Sequence, residues 1–494
     1  MNLIKKQGFY NSITLYIGTA LGFFNLIILF QRFLTAEQIG FFNLVISVSL
    51  LFSQIASLGF ASVIVRYFPY LKTDDKTHNG FPIYVLKVTL TAFIIVMLLY
   101  ISGKELFFKP SQDNNASLFY QYYYLIIPVA FFTLLYNLAE TFARATFHNI
   151  FPSFLREVFL KLLTSIAIIF IFYQLIGFRQ FVYWYVAANA LILILLLGYI
   201  KKLNLVKFSS ISPSLKKLSP EILKYGIYSV LAGSSFVMIQ NVDTILLKIF
   251  MGEATVGYYG TFFGMAMVVI LPAKALGTTT YPIIANAWKT NDLAKIDKIY
   301  KKTSLVQFLF GGFILIGLIA NWHNVLLLLY KPEYANFYSV FIVIALGFLI
   351  DITGGLNTII ISFSKHYKLI MYFLVCATIL CVLLNIILIP KIGMLGAALA
   401  YTITTFALNF TYWLYLNLKY KLQPFNFQFV KLIFIGIIAL VVGLILPKFG
   451  NFYIDVMLRS SLLTIIYLGL SYIFKISPDI NDFINQIILK LKFK

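Results

Sequence analysis

Long apolar runs separated by short polar stretches follow one another along the whole chain. About fourteen runs are long enough for a membrane-crossing helix, which takes roughly 20 apolar residues for a hydrocarbon layer ~30 Å thick. They cover residues 8–31, 39–65, 81–102, 118–143, 153–175, 179–200, 222–248, 256–284, 304–330, 336–362, 367–389, 393–416, 428–446 and 456–474. None shows the alternation that the wall of a membrane β-barrel needs. The pattern predicts an all-α polytopic membrane protein.

Charge adds an orientation to this picture. Only 11% of the residues are charged, 61% are hydrophobic, and the mean hydropathy is +0.90. If the N-terminus is cytoplasmic, the inner loops and termini hold 24 Lys and Arg residues and the outer loops hold seven. This bias follows the positive-inside rule, and an even number of helices places the C-terminus in the cytoplasm as well. The net charge of +22 then reflects topology and anionic lipid, not a nucleic-acid partner.

One turn sequence occurs twice. FLTAEQIGFF, residues 33–42, aligns with FMGEATVGYY, residues 250–259, at an offset of 217, which places Gly40 on Gly257. Chance resemblance between two turns is the alternative, but the matching positions after helices 1 and 7 favour a duplication. Two six-helix halves in the same orientation are a transporter architecture, with the transport path between them.

The duplication predicts where the domains begin and end. The basic stretch at 201–221 is expected to be a cytoplasmic linker, with Ser219 and Pro220 starting the seventh helix. The tail has apolar residues at helical spacing, which predicts an amphipathic helix on the inner leaflet. The predicted parts are an N-terminal lobe at 1–200, the linker at 201–221, a C-terminal lobe at 222–418, two further helices at 419–474 and the tail at 475–494.

Small and polar residues form a stripe on the second segment and another on the eighth. At 100° per residue they fall within arcs of roughly 80° and 100°. The two sets are Asn43, Ser47, Gln54 and Ser57, then Gly257, Gly260, Gly264 and Lys274. Such a stripe marks either a packing seam or a water-filled cavity, and both interpretations stay open for the second segment. Lys274 favours a cavity for the eighth, because a charge facing lipid is costly and a seam has no room for it.

Other charges inside the segments have simpler interpretations. Two acid–base pairs with a spacing of four are expected to be same-face ion pairs: Glu140 with Arg144, and Glu157 with Lys161. Three cations are expected to snorkel to the headgroups: Arg66, Lys87 and Arg459. Four histidines, His78, His148, His323 and His366, show no ligand spacing, so no metal or other cofactor is predicted.

Two aspartates and one lysine need partners elsewhere. Asp243 and Lys248 are five residues apart and point about 140° away from each other on a helix, so they cannot neutralise one another. Asp243 lies inside the outer boundary of its segment, which favours a cavity or inter-helix role. Lys248 is nearer the rim, where snorkelling is an equal alternative. Asp351 is also deep enough to need a partner.

Several of these stretches resemble bacterial polysaccharide-biosynthesis (Wzx-type) flippases of the multidrug/oligosaccharidyl-lipid/polysaccharide exporter (MOP) superfamily. The resemblance lies in an Asp before an aliphatic run, a Gly-aromatic turn, and a Tyr-Pro ending before a charged inner loop. The matching stretches are QNVDTILLKIFMGEATVGYYG at 240–260, the run at 271–302, LLNIILIPKIGMLGAALAYTIT at 383–404, and the opening hairpin with FLTAEQIGFF and VIVRYFP.

The resemblance implies two pseudo-symmetric six-helix lobes around a central cavity, plus two C-terminal helices. It implies alternating access that carries a polyprenyl-diphosphate-linked oligosaccharide from the cytoplasmic to the periplasmic leaflet. An anionic diphosphate in a low-dielectric cavity needs cations. The expected cationic path consists of Arg32, Arg66, Arg144, Lys248 and Lys274. Asp243 and Asp351 are expected to gate transport or to bind a coupling proton or sodium ion.

Other functions are weighed against this one. A cation-coupled drug or metabolite antiporter of the same superfamily would share the fold, and a lipid II or teichoic-acid flippase is a close neighbour. A membrane glycosyltransferase is disfavoured, because the longest outer loops, near 103–117 and 322–335, are too short for a catalytic domain. We therefore expect a transporter, not an enzyme, in the bacterial inner membrane, alone or with other polysaccharide-assembly proteins.

Overall fold

A computed structural model describes residues 3–104, 117–207, 209–478, 481, 482 and 485. The side chains of residues 3–9, 12 and 274–279 lie outside this description. In the described ranges every regular element is a helix, and thirteen helices are long and apolar enough to cross a membrane. The prediction of an all-α polytopic membrane protein with about fourteen spans is confirmed.

The predicted fifth span, 153–175, is helical but is not one of these thirteen helices. It consists of a short helix, Ile150–Phe154, a π-helical turn, Leu155–Phe159, and a longer helix, Leu160–Phe172. Arg156, Glu157 and Lys161 lie within it, whereas each of the thirteen has an apolar stretch of 18 residues with at most two charged residues. A π-turn adds one residue to a helical turn and often marks a functional position.

The chain divides into two compact units, the first of which comprises Met1–Thr261 and Leu374–Ala397. Helix α1 contains a π-helical turn, Asn25–Leu29. The helices up to residue 266 are α1 (Leu3–Phe24 with Phe30–Phe33), α2 (Ala36–Ala56), α3 (Phe60–Leu71), α4 (Phe81–Ser102), α5 (Ile126–Ala145), α6 (Ile150–Phe154 with Leu160–Phe172), α7 (Phe178–Lys202), α8 (Pro213–Met251) and α9 (Glu253–Ala266).

Local sequence signals explain where α2 begins and ends. The side chain of Thr35 accepts a hydrogen bond from the amide of Gln38, and the Gln38 side chain accepts one from the amide of Thr35, which is a capping box. After Ala56 the chain adopts a positive φ of 72° at Gly59, which glycine tolerates. The predicted second span is thereby split into α2 and α3.

Helix α8 begins earlier than predicted. Ser212 caps it through the amide of Leu215, and Pro213 occupies its first turn, so the Ser-Pro start signal is used seven residues before Ser219-Pro220. Pro220 lies inside the helix. Much of the predicted linker at 201–221 is therefore the first turns of a helix of 39 residues.

The second unit comprises Phe262–Phe373 and Ala398–Lys494. The remaining helices are α10 (Leu271–Lys289), α11 (Leu293–Ala320), α12 (Trp322–Leu329), α13 (Tyr338–Thr353), α14 (Asn357–Phe363), α15 (Leu369–Ile392), α16 (Met394–Tyr420), α17 (Phe427–Ile445) and α18 (Phe452–Ile473). Helices α9, α15 and α16 pass from one unit to the other. The division into lobes at 1–200 and 222–418 stays a prediction, and most of the tail at 475–494 lies outside the described residues.

Helix α18 holds a buried ion pair whose arginine also contacts the end of α17. Arg459 is only 5% exposed and donates two hydrogen bonds to Asp455, at 3.1 Å and 2.8 Å. Its guanidinium also donates to the carbonyl oxygens of Gly443 and Pro447. The expectation that Arg459 snorkels to the headgroups is wrong, because an acid one turn earlier on the same helix holds it inside the protein.

Candidate functional site

The two copies of the repeated turn lie against each other in the first unit. A β-carbon on Gly40 would lie 1.8 Å from the carbonyl oxygen of Glu253 and 2.9 Å from the nitrogen of Gly257. A β-carbon on Gly257 would lie 2.1 Å from the carbonyl oxygen of Ala36 and 3.1 Å from the nitrogen of Gly40. Ala36 and Glu253 are equivalent at the 217-residue offset, so the contacts are reciprocal, as expected of a duplication. Glycine lets the backbones of α2 and α9 approach this closely.

From this crossing the polar stripe of α2 lies first against α9 and then against α8. A β-carbon on Gly260 would lie 2.2 Å from Nδ2 of Asn43, and one on Gly233 would lie 2.3 Å from Nε2 of Gln54. The two amide side chains therefore fit where glycine leaves room. These contacts are those of a helix seam, which is one of the two interpretations open for the stripe.

The rest of the two stripes is partly buried. Ser47 is 6% exposed, and the Ser57 hydroxyl donates to the carbonyl oxygen of Gln54 over 2.7 Å. In the described part of the chain, Nδ2 of Asn43 is buried without a hydrogen-bond partner. Gly264 is half-buried in α9, and the side chain of Lys274 lies outside the described residues. A cavity-lining role for both stripes stays a prediction.

Asp243 of α8 is buried near this crossing, at 1% exposure. The Tyr259 hydroxyl of α9 donates a hydrogen bond to its Oδ2, and the amide of Thr244 donates to its Oδ1 over 2.8 Å. Among the described residues no cation forms an ion pair with it. Burying a carboxylate without a cation is costly, so this group is a candidate for reversible protonation or ion binding.

A buried amide–hydroxyl pair includes Thr261, two residues after Tyr259 in α9. Gln31 of α1 is 2% exposed and donates through Nε2 to Oγ1 of Thr261 over 2.9 Å. Gln31, Tyr259 and Thr261 were not predicted. The repeat held a signal for Tyr259, because it aligns with Phe42 and carries a hydroxyl that Phe42 lacks.

Lys248 lies one turn from the end of α8, beside an acid that was not predicted as a site residue. Glu253 is 8% exposed and accepts hydrogen bonds from the amides of Leu118 and Phe119, at 3.0 Å and 2.8 Å. It thereby caps the start of the short helix Leu118–Gln121. Lys248 is half-buried, with its Nζ 5.5 Å from the centroid of the Phe119 ring.

Asp351 has amide partners in the second unit. Nδ2 of Asn409 in α16 donates to its Oδ1 over 3.0 Å, and Nδ2 of Asn357 donates to Oδ1 of Asn409 over 2.8 Å. The group lies where the chain breaks between α13 and α14, with a φ of 63° at Gly355. Asn409 also lines a mainly apolar cavity of about 370 Å³. No cation among the described residues pairs with Asp351.

The three predicted arginines lie in different places in the first unit. Arg32 is exposed at the end of α1. Arg66 is exposed on α3, with its guanidinium 4.4 Å from the centroid of the Tyr225 ring, which is a cation–π geometry. Arg144 is exposed on α5 and pairs with Glu140 over 3.0 Å.

Glu140 also joins two helices. Arg156 of α6 pairs with its second oxygen over 3.2 Å, and Glu157 pairs with Lys161 over 3.0 Å. Both predicted same-face pairs are thus confirmed, and Arg156 adds a contact between helices that the spacing rule does not address. A polar cavity of about 350 Å³ is lined by Glu140, Arg144, Arg156 and Glu157 together with Asn11, Asn149 and Ser153.

Comparison with known proteins identifies a protein family that this chain matches. A family model described as polysaccharide biosynthesis protein matches residues 4–288. The capsular polysaccharide biosynthesis protein CapF of Staphylococcus aureus is 26% identical over 177 residues, 35% of this chain and 44% of CapF. The probable low-salt glycan biosynthesis flippase Agl15 of Haloferax volcanii is 25% identical over 226 residues, 45% of this chain and 48% of Agl15. The matches span about half the length of these relatives.

The fold has a solved counterpart. The inward closed conformation of the lipid II flippase MurJ superposes with a TM-score of 0.67 and 17% identity, covering 94% of this chain and 98% of MurJ. At this identity the likeness concerns the fold alone. Family and fold together support a flippase or transporter role for a multi-pass membrane protein.

Proposed function

Because the chain belongs to the polysaccharide biosynthesis protein family, we propose that it is a flippase for a polyprenyl-diphosphate-linked oligosaccharide. The cargo is a repeat unit of O-antigen, capsule or exopolysaccharide, moved by alternating access from the cytoplasmic to the periplasmic leaflet of the bacterial inner membrane. CapF and Agl15, whose names refer to capsular polysaccharide and to glycan biosynthesis, support this cargo class. Both termini lie in the cytoplasm in this proposal, and the chain is not an enzyme.

The observation that carries the mechanism is the burial of Asp243 with no ion-pair partner in the part of the chain that the structure describes. Its carboxyl group is held by the Tyr259 hydroxyl and by the backbone of Thr244. A membrane-buried carboxylate of this kind is expensive to keep and is typical of groups that bind a proton or a metal cation during transport. We assign Asp243 and Asp351 to gating or to binding of a coupling proton or sodium ion.

Cations supply the other half of the proposal. A diphosphate that enters a low-dielectric path is stabilised by charge-assisted hydrogen bonds, and arginine can bind it with two donors at once. Arg32 and Arg66 are exposed on the first unit, which leaves them accessible to a ligand. The proposed substrate contacts are Arg32, Arg66, Arg144, Lys248 and Lys274.

The glycan needs a different surface. Hydroxyl-rich sugars require amide and hydroxyl partners, and the prenyl chain can stay in the lipid. We propose that the stripes of α2 and α9 line the cavity in the conformation that admits the cargo. The residues concerned are Asn43, Ser47, Gln54, Ser57, Gly257, Gly260 and Gly264.

Complementation of a flippase-null strain tests the proposal. We expect Asp243→Asn and Lys274→Ala to insert normally and to leave surface polysaccharide at the level of the null strain, because each removes a required charge. Glu37→Gln, which changes an exposed acid in the first turn of α2, is the matched control and should restore wild-type glycan.

The result separates the proposed cargo from its rivals. Wild-type glycan with both site variants at matched expression would remove Asp243 and Lys274 from the mechanism. Failure of the wild-type chain to restore glycan, combined with energy-dependent efflux of a cationic drug, would favour the antiporter. Rescue of peptidoglycan precursor export would favour a lipid II flippase.

A further inference from the structure

A large groove opens at one end of three helices in the first unit. It has a volume of about 920 Å³, within the range of small-molecule sites, and we call it the inner groove. Its lining includes Leu86 near the start of α4, Phe142 near the end of α5, and Leu197 and Lys201 near the end of α7. These positions belong to the same end of all three helices, the end that the positive-inside rule places at the cytoplasm.

Helix α5 forms the floor of the inner groove. On one side α4 packs against it, with the rings of Phe93 and Phe131 at 5.5 Å. On the other side α7 packs against it in a core cluster that includes Tyr136 and Leu196. The walls are apolar between these contacts, so within a membrane the groove is a place for hydrocarbon chains and not for water.

The rim of the inner groove is basic. Lys201 and Lys207 both line it and both are exposed. Among the described residues neither lysine forms an ion pair with a carboxylate. Two uncompensated ammonium groups at the mouth of an apolar groove complement a ligand with an anionic head and an apolar tail.

The backbone near Lys207 is held in place. Its amide donates to the carbonyl oxygen of Lys76 over 2.7 Å, and His78 contacts the carbonyl oxygen of Leu205 through Nε2 at 2.9 Å. The turn that presents Lys76 is itself fixed, because Asp75 accepts a hydrogen bond from the amide of Thr77 over 2.9 Å. Hydrogen bonds from the Thr73 hydroxyl and from the amide and hydroxyl of Thr77 lower the pKa of the exposed Asp75 carboxyl to about 2. The segment that carries Lys207 is therefore fixed by hydrogen bonds to the neighbouring turn.

We propose that the inner groove binds an anionic diacyl phospholipid of the cytoplasmic leaflet. Its acyl chains lie against α5 between α4 and α7, and its phosphate contacts Lys201 and Lys207. Basic pockets between membrane helices at the cytoplasmic face are sites of this kind for anionic headgroups. The inference concerns a lipid that stays in place and does not depend on the proposed cargo.

Native mass spectrometry of the purified full-length chain with phosphatidylglycerol or phosphatidylcholine tests the site. Wild-type protein should retain phosphatidylglycerol in preference to phosphatidylcholine. The double variant Lys201→Gln/Lys207→Gln should bind phosphatidylglycerol about 30-fold more weakly, from about one kcal/mol per lysine. The matched control Lys216→Gln/Lys217→Gln removes two exposed lysines outside the groove and should bind as wild type.

A second pair of variants tests the apolar wall. Leu197→Trp should fill part of the inner groove and weaken phosphatidylglycerol binding. Leu195→Trp, at a similarly exposed leucine of the same helix that does not line the groove, should not. Unchanged melting of each variant in lipid-free detergent shows that it is folded.

Several results would overturn the inference. Equal affinity for phosphatidylcholine would remove the role of the phosphate charge, and equal losses in the two lysine pairs would reduce the effect to general surface charge. Unchanged binding in Leu197→Trp would place the lipid elsewhere. Displacement of phosphatidylglycerol by a lower concentration of undecaprenyl phosphate would assign the groove to the cargo lipid instead.

Discussion

Asp243 of α8 and Asp455 of α18 are both carboxyl groups inside membrane-spanning helices, at 1% and 2% exposure. Asp455 is surrounded by fixed donors: Arg459 binds it through two nitrogens, Asn324 donates to its Oδ2, and the amide of Phe449 donates to its Oδ1 over 3.1 Å. Asp243 has a tyrosine hydroxyl and its neighbour's amide. Asp455 is paired with a cation, whereas no cation among the described side chains pairs with Asp243.

The difference separates a structural role from a functional one. A buried ion pair with every donor used fixes the position of its helices, and breaking it leaves a charge that nothing else compensates. A buried acid without a cation can exchange its proton or bind an ion without unfolding the helices around it. We infer that Asp455 stabilises the fold at α17 and α18, whereas Asp243 changes state during transport.

The largest expected effect is on the structural pair. Arg459→Ala should lower the free energy of unfolding by about 3–5 kcal/mol, because it leaves Asp455 buried and unpaired. Unfolding in mixed micelles measures it. Replacing both residues with leucine, Asp455→Leu/Arg459→Leu, should cost less than the single change. A stable Arg459→Ala protein that fails in transport would reverse the assignment of roles.

A smaller effect is expected at the Asp243 hydroxyl partner. Tyr259→Phe should cost about 1.5–3 kcal/mol if the carboxyl group is ionised, because a hydrogen bond to a charged group is lost. Tyr70→Phe, at a tyrosine that is 84% exposed, is the control and should be neutral. Repeating Tyr259→Phe in an Asp243→Asn background measures the coupling between the two side chains. A coupling energy near zero would mean that the hydroxyl does not support the carboxyl group.

Much of this contrast could not be read from the sequence. Hydropathy was sufficient to predict the all-helical fold class. A spacing of four residues was sufficient to predict the ion pairs of Glu140 with Arg144 and of Glu157 with Lys161. The same spacing links Asp455 to Arg459, and there the expectation of snorkelling was wrong. Position near a helix end does not reveal whether neighbouring carbonyl groups turn inward to accept a guanidinium. Such contacts depend on the backbone direction of loop residues such as Pro447. Hydrophobic periodicity carries no information about that direction.

Around Asp243, a different part of the structure could not be predicted from the sequence. Its deep position and its need for a partner on another helix followed from helical geometry. The identity of that partner, Tyr259, depended on how α8 and α9 cross. The repeat predicted a duplicated turn after helices 1 and 7. It did not predict that the two copies would meet through Gly40 and Gly257, because a sequence alignment shows similarity and not contact.

The crossing of α2 and α9 should be sensitive to one methyl group. Gly40→Ala is expected to cost about 1–3 kcal/mol, because its β-carbon would overlap the carbonyl oxygen of Glu253 and the backbones must separate. Gly198→Ala in α7 has no neighbour within 4 Å and should be stabilising by about 0.5–1 kcal/mol through helix propensity. Equal stability of the two variants would show that the backbones of α2 and α9 do not approach this closely.

The smallest expected effect on stability is at Asp243, the acid that we propose acts in transport. Asp243→Asn keeps one oxygen, which can accept from the amide of Thr244, and its new Nδ2 can donate to the hydroxyl oxygen of Tyr259. It also removes a buried charge. We therefore expect the free energy of unfolding to change by less than about 1 kcal/mol, although transport is lost. The variant is unfolded in the same micelles as Arg459→Ala. A loss comparable to that of Arg459→Ala would make Asp243 a structural acid like Asp455, and its loss of transport would then report misfolding.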